Sequence, residues 1–355
     1  MKSVAQNSSL EDEFVSSICY NYRLVFLAVF LALLWFAGGG SLTEEQGRVW
    51  DVVRNAQKAL WAAQAKTRVP LSPENDPLRT GLIGVEWSPL TTTLGDLGAK
   101  RTSCNPLWAV QCLRWFDELG LKKGDRIALY TSSSFPAFAL AALAAAEERG
   151  LDVLLSVSLG SSMWGANRVE FPWPMMARAL REGGFVRTRA AFYTPGGAGD
   201  GGRDFSGEIM ELLRRLTEEE NVPFVVPENL EEAVRFKTER LLGWRPKLFV
   251  NIGGGEASLG DSGTLISNGL LLPPKEFFWS GALPGEGGVI AEALKAGIPV
   301  LHILGVRKLA EENGIPWDAG VFVKMNPGRR PVWAFAGLIL FLAVLYSHRR
   351  WLLYT

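Results

Sequence analysis

Short apolar runs with no polar face recur along this chain, and each is followed by a stretch of helical character. Arg126–Thr131, "RIALYT", precedes the Ala-rich segment Phe135–Arg149, and Asp152–Ser158, "DVLLSVS", precedes Pro174–Glu182. Ala190–Tyr193, Pro223–Val226, Lys247–Ile252 and Ile298–Leu304 read as further strands. Phe205–Glu219, Glu228–Leu242, Gly288–Lys295 and Arg307–Glu312 read as the helices between and after them. A strand that is apolar on both faces must be covered on both, which calls for a parallel sheet with helical crossovers. Right-handed crossovers make such a sheet doubly wound. The expected fold is therefore α/β, with a doubly wound, mostly parallel, Rossmann-like sheet. Its strand order is not readable from one sequence.

The two ends differ from this body. Leu24–Ala37, "LVFLAVFLALLWFA", and Val332–Tyr346, "VWAFAGLILFLAVLY", carry no charge. Each run is shorter than the roughly 20 apolar residues that span a bilayer, but aromatic and Arg flanks extend both. The expectation is one transmembrane helix at each end, over 23–42 and 329–348. The protein would then pass the cell membrane twice, with an extracytoplasmic body and cytoplasmic termini. The first run is also followed by "AGGGS", the small-residue signature of a cleaved leader. Glu11, Asp12 and Glu13 ahead of it are unusual for that role. The resulting division is a tail over 1–22, a helix and Pro-rich connector over 43–90, the body over 91–325, and a tail over 349–355. Gly196–Arg203 offers a break between two lobes of the body.

Composition narrows the chemistry. Hydrophobic residues make up 48% of the 355, enough for a sizeable core. Lys+Arg and Asp+Glu are equal at 37 each, so no basic field points to nucleic acid. Three cysteines without a CxxC support neither a zinc site nor a disulfide framework. No metal or cofactor is expected.

In an open parallel sheet, ligands sit beyond the carboxyl ends of the strands, and four loops qualify. Ser132-Ser133-Ser134-Phe135-Pro136 joins a strand to a helix. It reads as a plain cap, as an anion-binding helix N-terminus, or as the seat of a serine nucleophile, Ser132 or Ser134; the GxSxG elbow is absent. Gly160–Asn167 offers Ser162 and Asn167 as hydrogen-bonding groups around Trp164, either as a pocket wall or as a turn on a buried Trp. Gly253-Gly254-Gly255 follows a strand, but no GK[ST] or GxGxxG completes a nucleotide loop. It reads as a chain reversal or as another wall of the pocket. Thr91–Pro106 gathers Asp96, Lys100, Arg101 and Asn105, with Arg101 suited to bidentate carboxylate binding or the cluster simply solvated. His302, in "VLHIL", is the one histidine available to the body and reads more readily as a core residue than as a base.

The runs "TTTLGDLGAKRTSCNP", "GDRIALYTSSSFPAFALAALAA", "SLGSSMWGANRVEFPW" and "FVNIGGGEASLG" resemble the bacterial poly-γ-glutamate system protein family, over about residues 80–320. The resemblance implies a non-synthetic membrane accessory to poly-γ-glutamate synthesis or export, with synthase or export subunits as partners. An anionic polymer or intermediate would bind at the strand edge. It assigns no catalytic residues. A serine-dependent hydrolase or transferase acting on γ-glutamyl or acyl bonds, and a scaffold for synthase subunits, are the alternatives.

Overall fold

Strand β2 (Arg126–Ser132) is enclosed along almost its whole length, and its neighbours explain why. In the computed structural model, which describes residues 26–27, 29–31, 42–67, 71–260, 266–273, 287–325 and 336–344, β2 lies near the centre of a six-stranded sheet. The other strands are β3 (Asp152–Ser158), β5 (Ala190–Thr194), β6 (Leu248–Ile252), β7 (Gly269–Leu271) and β8 (Val300–Ile303). The order is β5-β3-β2-β6-β8-β7, parallel except for β7 against β8. Two short strands, β1 (Thr91–Thr93) and β4 (Ser161–Ser162), pair separately.

The chain winds outward from β2 through β3 to β5, then returns to the other side of β2 and continues through β6 and β8. The direction of winding therefore reverses between β2 and β6. That reversal opens a crevice at the carboxyl ends of the two strands, because their following loops depart in opposite senses. Residues Thr43–Lys324 form one compact unit.

One face of the sheet is covered by α4 (Pro136–Arg149), whose residues from Pro136 to Ala146 are all buried. A helix that is apolar all round belongs inside, and its many alanines let it lie close to its neighbours. Pro136 occupies its first turn, where a missing N–H costs nothing, and Gly150 ends it with a left-handed φ of 69°. Outside α4 lie α3 (Leu107–Glu118) and α1 (Glu44–Gln64). Trp108 of α3 meets the Phe138 ring edge-on, with centroids 4.9 Å apart. Val49, Val53, Ala56 and Leu60 bury one stripe of α1, so this helix is part of the body. On the other face, Ala128, Tyr130, Phe249 and Val300 pack with α7 (Leu230–Trp244) and α9 (Val289–Lys295).

Several expectations are corrected. No helix among the described residues is long and apolar enough to cross a membrane. The two-pass anchoring over 23–42 and 329–348, and the sidedness built on it, is therefore not supported. Residues 336–344 are helical. The tails 1–22 and 349–355 and most of both apolar runs lie outside the described residues. Pro223–Val226 is not a strand and makes only an isolated bridge from Phe224 to Tyr193. The expected loop Thr91–Pro106 contains β1 and a helix, α2 (Leu97–Ser103).

Because α4 is covered on both sides, added bulk there has nowhere to go. Ala142→Leu, at a fully buried position, should cost about 1–3 kcal/mol, read as a lowered urea midpoint with an unchanged slope.

Candidate functional site

The parallel strands end in register. Ser132 pairs with Ser158, and Ser158 with Thr194, while Ile252 pairs with Thr131 and Ile303. The loops that follow enclose a cleft of about 710 Å³. Ser132, Ser134, Ser158, Ser162, Gly254 and Gly255 line it, together with Leu94, Lys100, Phe135 and Leu304. At the switch point, Gly253 has φ 94°, and a Cβ there would overlap the Ser132 hydroxyl. Only glycine lets β6 turn so close to the Ser132 loop.

Lys100 is the central group of this cleft. Asp96 caps α2 by accepting the Ala99 amide at 2.6 Å, and the helix turns Lys100 inward. The side chain is 2% exposed. Its Nζ donates to the Ser134 carbonyl and lies 2.7 Å from Ser162 Oγ. It also sits 3.7 Å from the centroid of the Phe135 ring. Among the described residues, no carboxylate forms an ion pair with it. Burial therefore dominates, pushing its pKa down to about 7. A fraction of the amine is neutral at physiological pH.

Ser162 is placed by two interlocked loops. Met163 donates its amide to the Thr93 carbonyl at 3.0 Å, and Ser161 donates to Leu90 at 3.1 Å, which pins β4 against β1. The Ser162 amide donates to Ser134 Oγ at 2.9 Å. The Ser133 carbonyl accepts the Ala166 amide at 2.8 Å and the Ser161 hydroxyl at 3.1 Å. The serine run after β2 thus holds the Ser162 turn in place through its backbone and one hydroxyl.

A second lysine–serine pair, buried to a similar degree, has different partners. Lys237 Nζ is 3.1 Å from Ser158 Oγ, but it is also 2.5 Å from Asp200 Oδ2. Asp200 Oδ1 accepts from Ser158 at 2.8 Å and from Thr194 at 3.0 Å. This lysine is paired with a carboxylate, and the Ser158 hydroxyl is itself bonded to Asp200 and Thr194. The pair instead fixes Asp200, whose φ of 61° is strained for a non-glycine residue. The neighbouring glycine arm is tied down by carboxylates: Asp204 accepts the Ala198 amide at 2.7 Å, and Glu256 accepts the Gly199 amide at 2.8 Å.

The remaining candidates lie elsewhere. Arg101, next to Lys100 on α2, points outward, where it donates to the Glu74 and Asn75 carbonyls and pairs loosely with Asp318. Asn167 is fully buried, with its amide gripping both backbone groups of Val85 and the Thr91 hydroxyl. Trp164 does not line the cleft; it adopts φ 64° and pairs through its backbone with Gly84 and Val85. Ser133 is fully buried beneath the cleft. His302 is buried on β8, its Nδ1 accepting from Asn251 at 3.0 Å, and burial lowers its pKa to about 4. It faces no cleft serine, so a Ser–His arrangement is not formed. Cys104 and Cys112 are buried free thiols. Lys100 was read from sequence only as one member of the Thr91–Pro106 cluster, with Arg101 as the preferred ligand; its place beside Ser162 was not foreseen. Its one signal is Asp96 four positions ahead, the N-cap of a helix too short to show periodicity.

Comparison with family models, with characterised proteins and with solved structures returned no match.

Two outcomes follow for the lysines. Lys237→Met should destabilise by about 3–5 kcal/mol, because it strands a buried carboxylate. Adding Asp200→Asn should recover much of that loss in thermal melts. For Lys100 the native pKa lies below the unfolded value, so the unfolded state binds more protons between about pH 7 and 10.5. Its contribution to stability therefore rises with pH across that window. Lys100→Met should remove this rise, so that the stability of the variant minus that of the parent falls by more than about 1 kcal/mol from pH 7 to pH 10.

Proposed function

We propose that this chain is a serine-dependent acyl hydrolase or acyltransferase, with Ser162 as nucleophile and Lys100 as its base. The observation that carries the reading is the 2.7 Å separation of Lys100 Nζ from Ser162 Oγ, inside a cleft and, among the described residues, with no carboxylate ion-paired to the lysine. A lysine serves as base only when neutral, and a pKa near 7 balances availability against basicity.

In the acylation step, Ser162 Oγ attacks a substrate carbonyl carbon while its proton passes to neutral Lys100. A C–O bond forms and the carbonyl π pair moves onto oxygen. When the tetrahedral species collapses, the bond to the leaving nitrogen or oxygen breaks, and the Lys100 ammonium protonates that atom. Water, or a second nucleophile in a transferase, then gives up its proton to Lys100 and attacks the acyl carbon; as the acyl–Oγ bond breaks, the Lys100 ammonium returns that proton to Ser162 Oγ, restoring both groups.

The charge of the cleft favours this reading over capture of a polyanion. Asp96, Asp200, Asp204 and Glu256 line it alongside Lys100, and Lys237 balances only Asp200. A carboxylate-rich polymer would meet net negative charge. The likeness to the poly-γ-glutamate system proteins supports a γ-glutamyl amide as one acyl donor to try, and the charge favours neutral or amine-bearing donors over longer polyanionic ones.

A fluorophosphonate probe should label Ser162, mapped by mass spectrometry of the digested protein. Ser162→Ala should abolish labelling, and Lys100→Met should slow it by about 10²–10⁴-fold. The parent rate should climb with pH through a single ionisation near 7. Labelling at a different serine that survives Ser162→Ala would overturn the assignment.

A further inference from the structure

We infer that Ser134 is a further catalytic residue, whose hydroxyl donates to the acyl oxygen as it gains negative charge. This rests on the Ser162–Lys100 reading. Ser134 Oγ accepts the amide proton of Ser162 at 2.9 Å, so it stands one hydrogen bond from the nucleophile's own backbone. Ser134 lines the cleft, and its carbonyl is already committed to Lys100. Among the described residues, the Ser134 hydroxyl donates to no protein acceptor, its one bond being that from the Ser162 amide. The oxygen is thus occupied as an acceptor while its proton is left for a group in the cleft. Donation into that oxygen also polarises the O–H and strengthens it as a donor.

Three neighbours set Ser134 apart. The Ser132 hydroxyl forms no bond, but it is packed beside Gly253. The Ser133 hydroxyl is likewise unpartnered, and its residue is fully buried away from the cleft. The Ser158 hydroxyl is already bonded to Asp200 and Thr194. Ser134 also lies just ahead of the 14-residue helix α4, whose positive end favours charge developing on an oxygen beside it. A preset donor of this kind does most of its work in the transition state, because the ground-state carbonyl is only weakly basic.

The test uses the fluorophosphonate probe on the full chain, because its phosphoryl oxygen occupies the position of the developing oxyanion. Ser134→Ala should slow labelling of Ser162 by about 10²-fold, within the range for one oxyanion donor. Ser134→Thr, which keeps the hydroxyl, should restore at least a tenth of the parent rate. The midpoint of the pH–rate curve should not move in Ser134→Ala, since Lys100 is held by the Ser134 carbonyl rather than its hydroxyl. Labelling of Ser134→Ala at the parent rate would overturn the inference. So would a slowed rate accompanied by a shifted pH midpoint, which would assign Ser134 to positioning Lys100. Absence of Ser162 labelling in the parent is a separate result: it would overturn the Ser162–Lys100 reading, and the role of Ser134 with it.

Discussion

A buried amine with no ion-paired carboxylate is costly to fold around, and among the described residues Lys100 has none. Its Nζ has the Ser134 carbonyl, the Ser162 hydroxyl and the face of the Phe135 ring for company. All three attract an ammonium, yet none carries a full negative charge. Together they offset part of the desolvation but not all of it, and burial leaves the group close to its balance point at neutral pH. The chain already contains the cheaper solution. Lys237, at a similar depth, has Asp200 against it at 2.5 Å. The contrast between the lysine that lines the cleft and the one paired behind it is the strongest physical reason to assign chemistry to Lys100 and architecture to Lys237.

The scaffold explains why that amine meets that hydroxyl. Reversal of winding between β2 and β6 opens the crevice, and the glycine at 253 keeps the crevice narrow at its floor. The serine run after β2 supplies carbonyls and a hydroxyl to the Ser162 turn, while α2 delivers Lys100 from a segment far from either in sequence. Asn167 then ties the Ser162 turn to Val85, so the connector ahead of β1 acts as a strap across the back of the site. Each of these links is a backbone hydrogen bond or a buried side-chain bond, which gives the site a rigid frame.

The sheet was legible because β2, β3, β5, β6 and β8 are largely buried and read as mostly apolar runs. β7 was not, since its three residues are half-exposed and pair only along one edge. β1 and β4 are too short to carry any period. The serine and glycine loops were legible as occupants of the strand ends, because that follows from parallel topology alone. What they do there was not. Arg101 and Lys100 are adjacent in sequence, and about 100° of helical rotation separates them, which sends one against the Glu74 and Asn75 carbonyls and the other into the cleft. Without α2 in view, the guanidinium looked the better ligand. Asn167 looked like a pocket group for the same reason: a polar side chain in a loop gives no sign that its partners are the backbone of Val85. The apolar ends misled through composition, since uncharged runs near 15 residues sit on the border between a span and a short helix.

The account stands on the protonation state of one side chain. The most direct measurement is an NMR titration of Lys100 in the intact protein, followed by ¹³Cε shift and assigned with Lys100→Met. The account requires a midpoint near 7, displaced from the other lysines. A midpoint above about 9.5, in the range of ordinary lysines, would leave the amine fully protonated beside Ser162 and would contradict it.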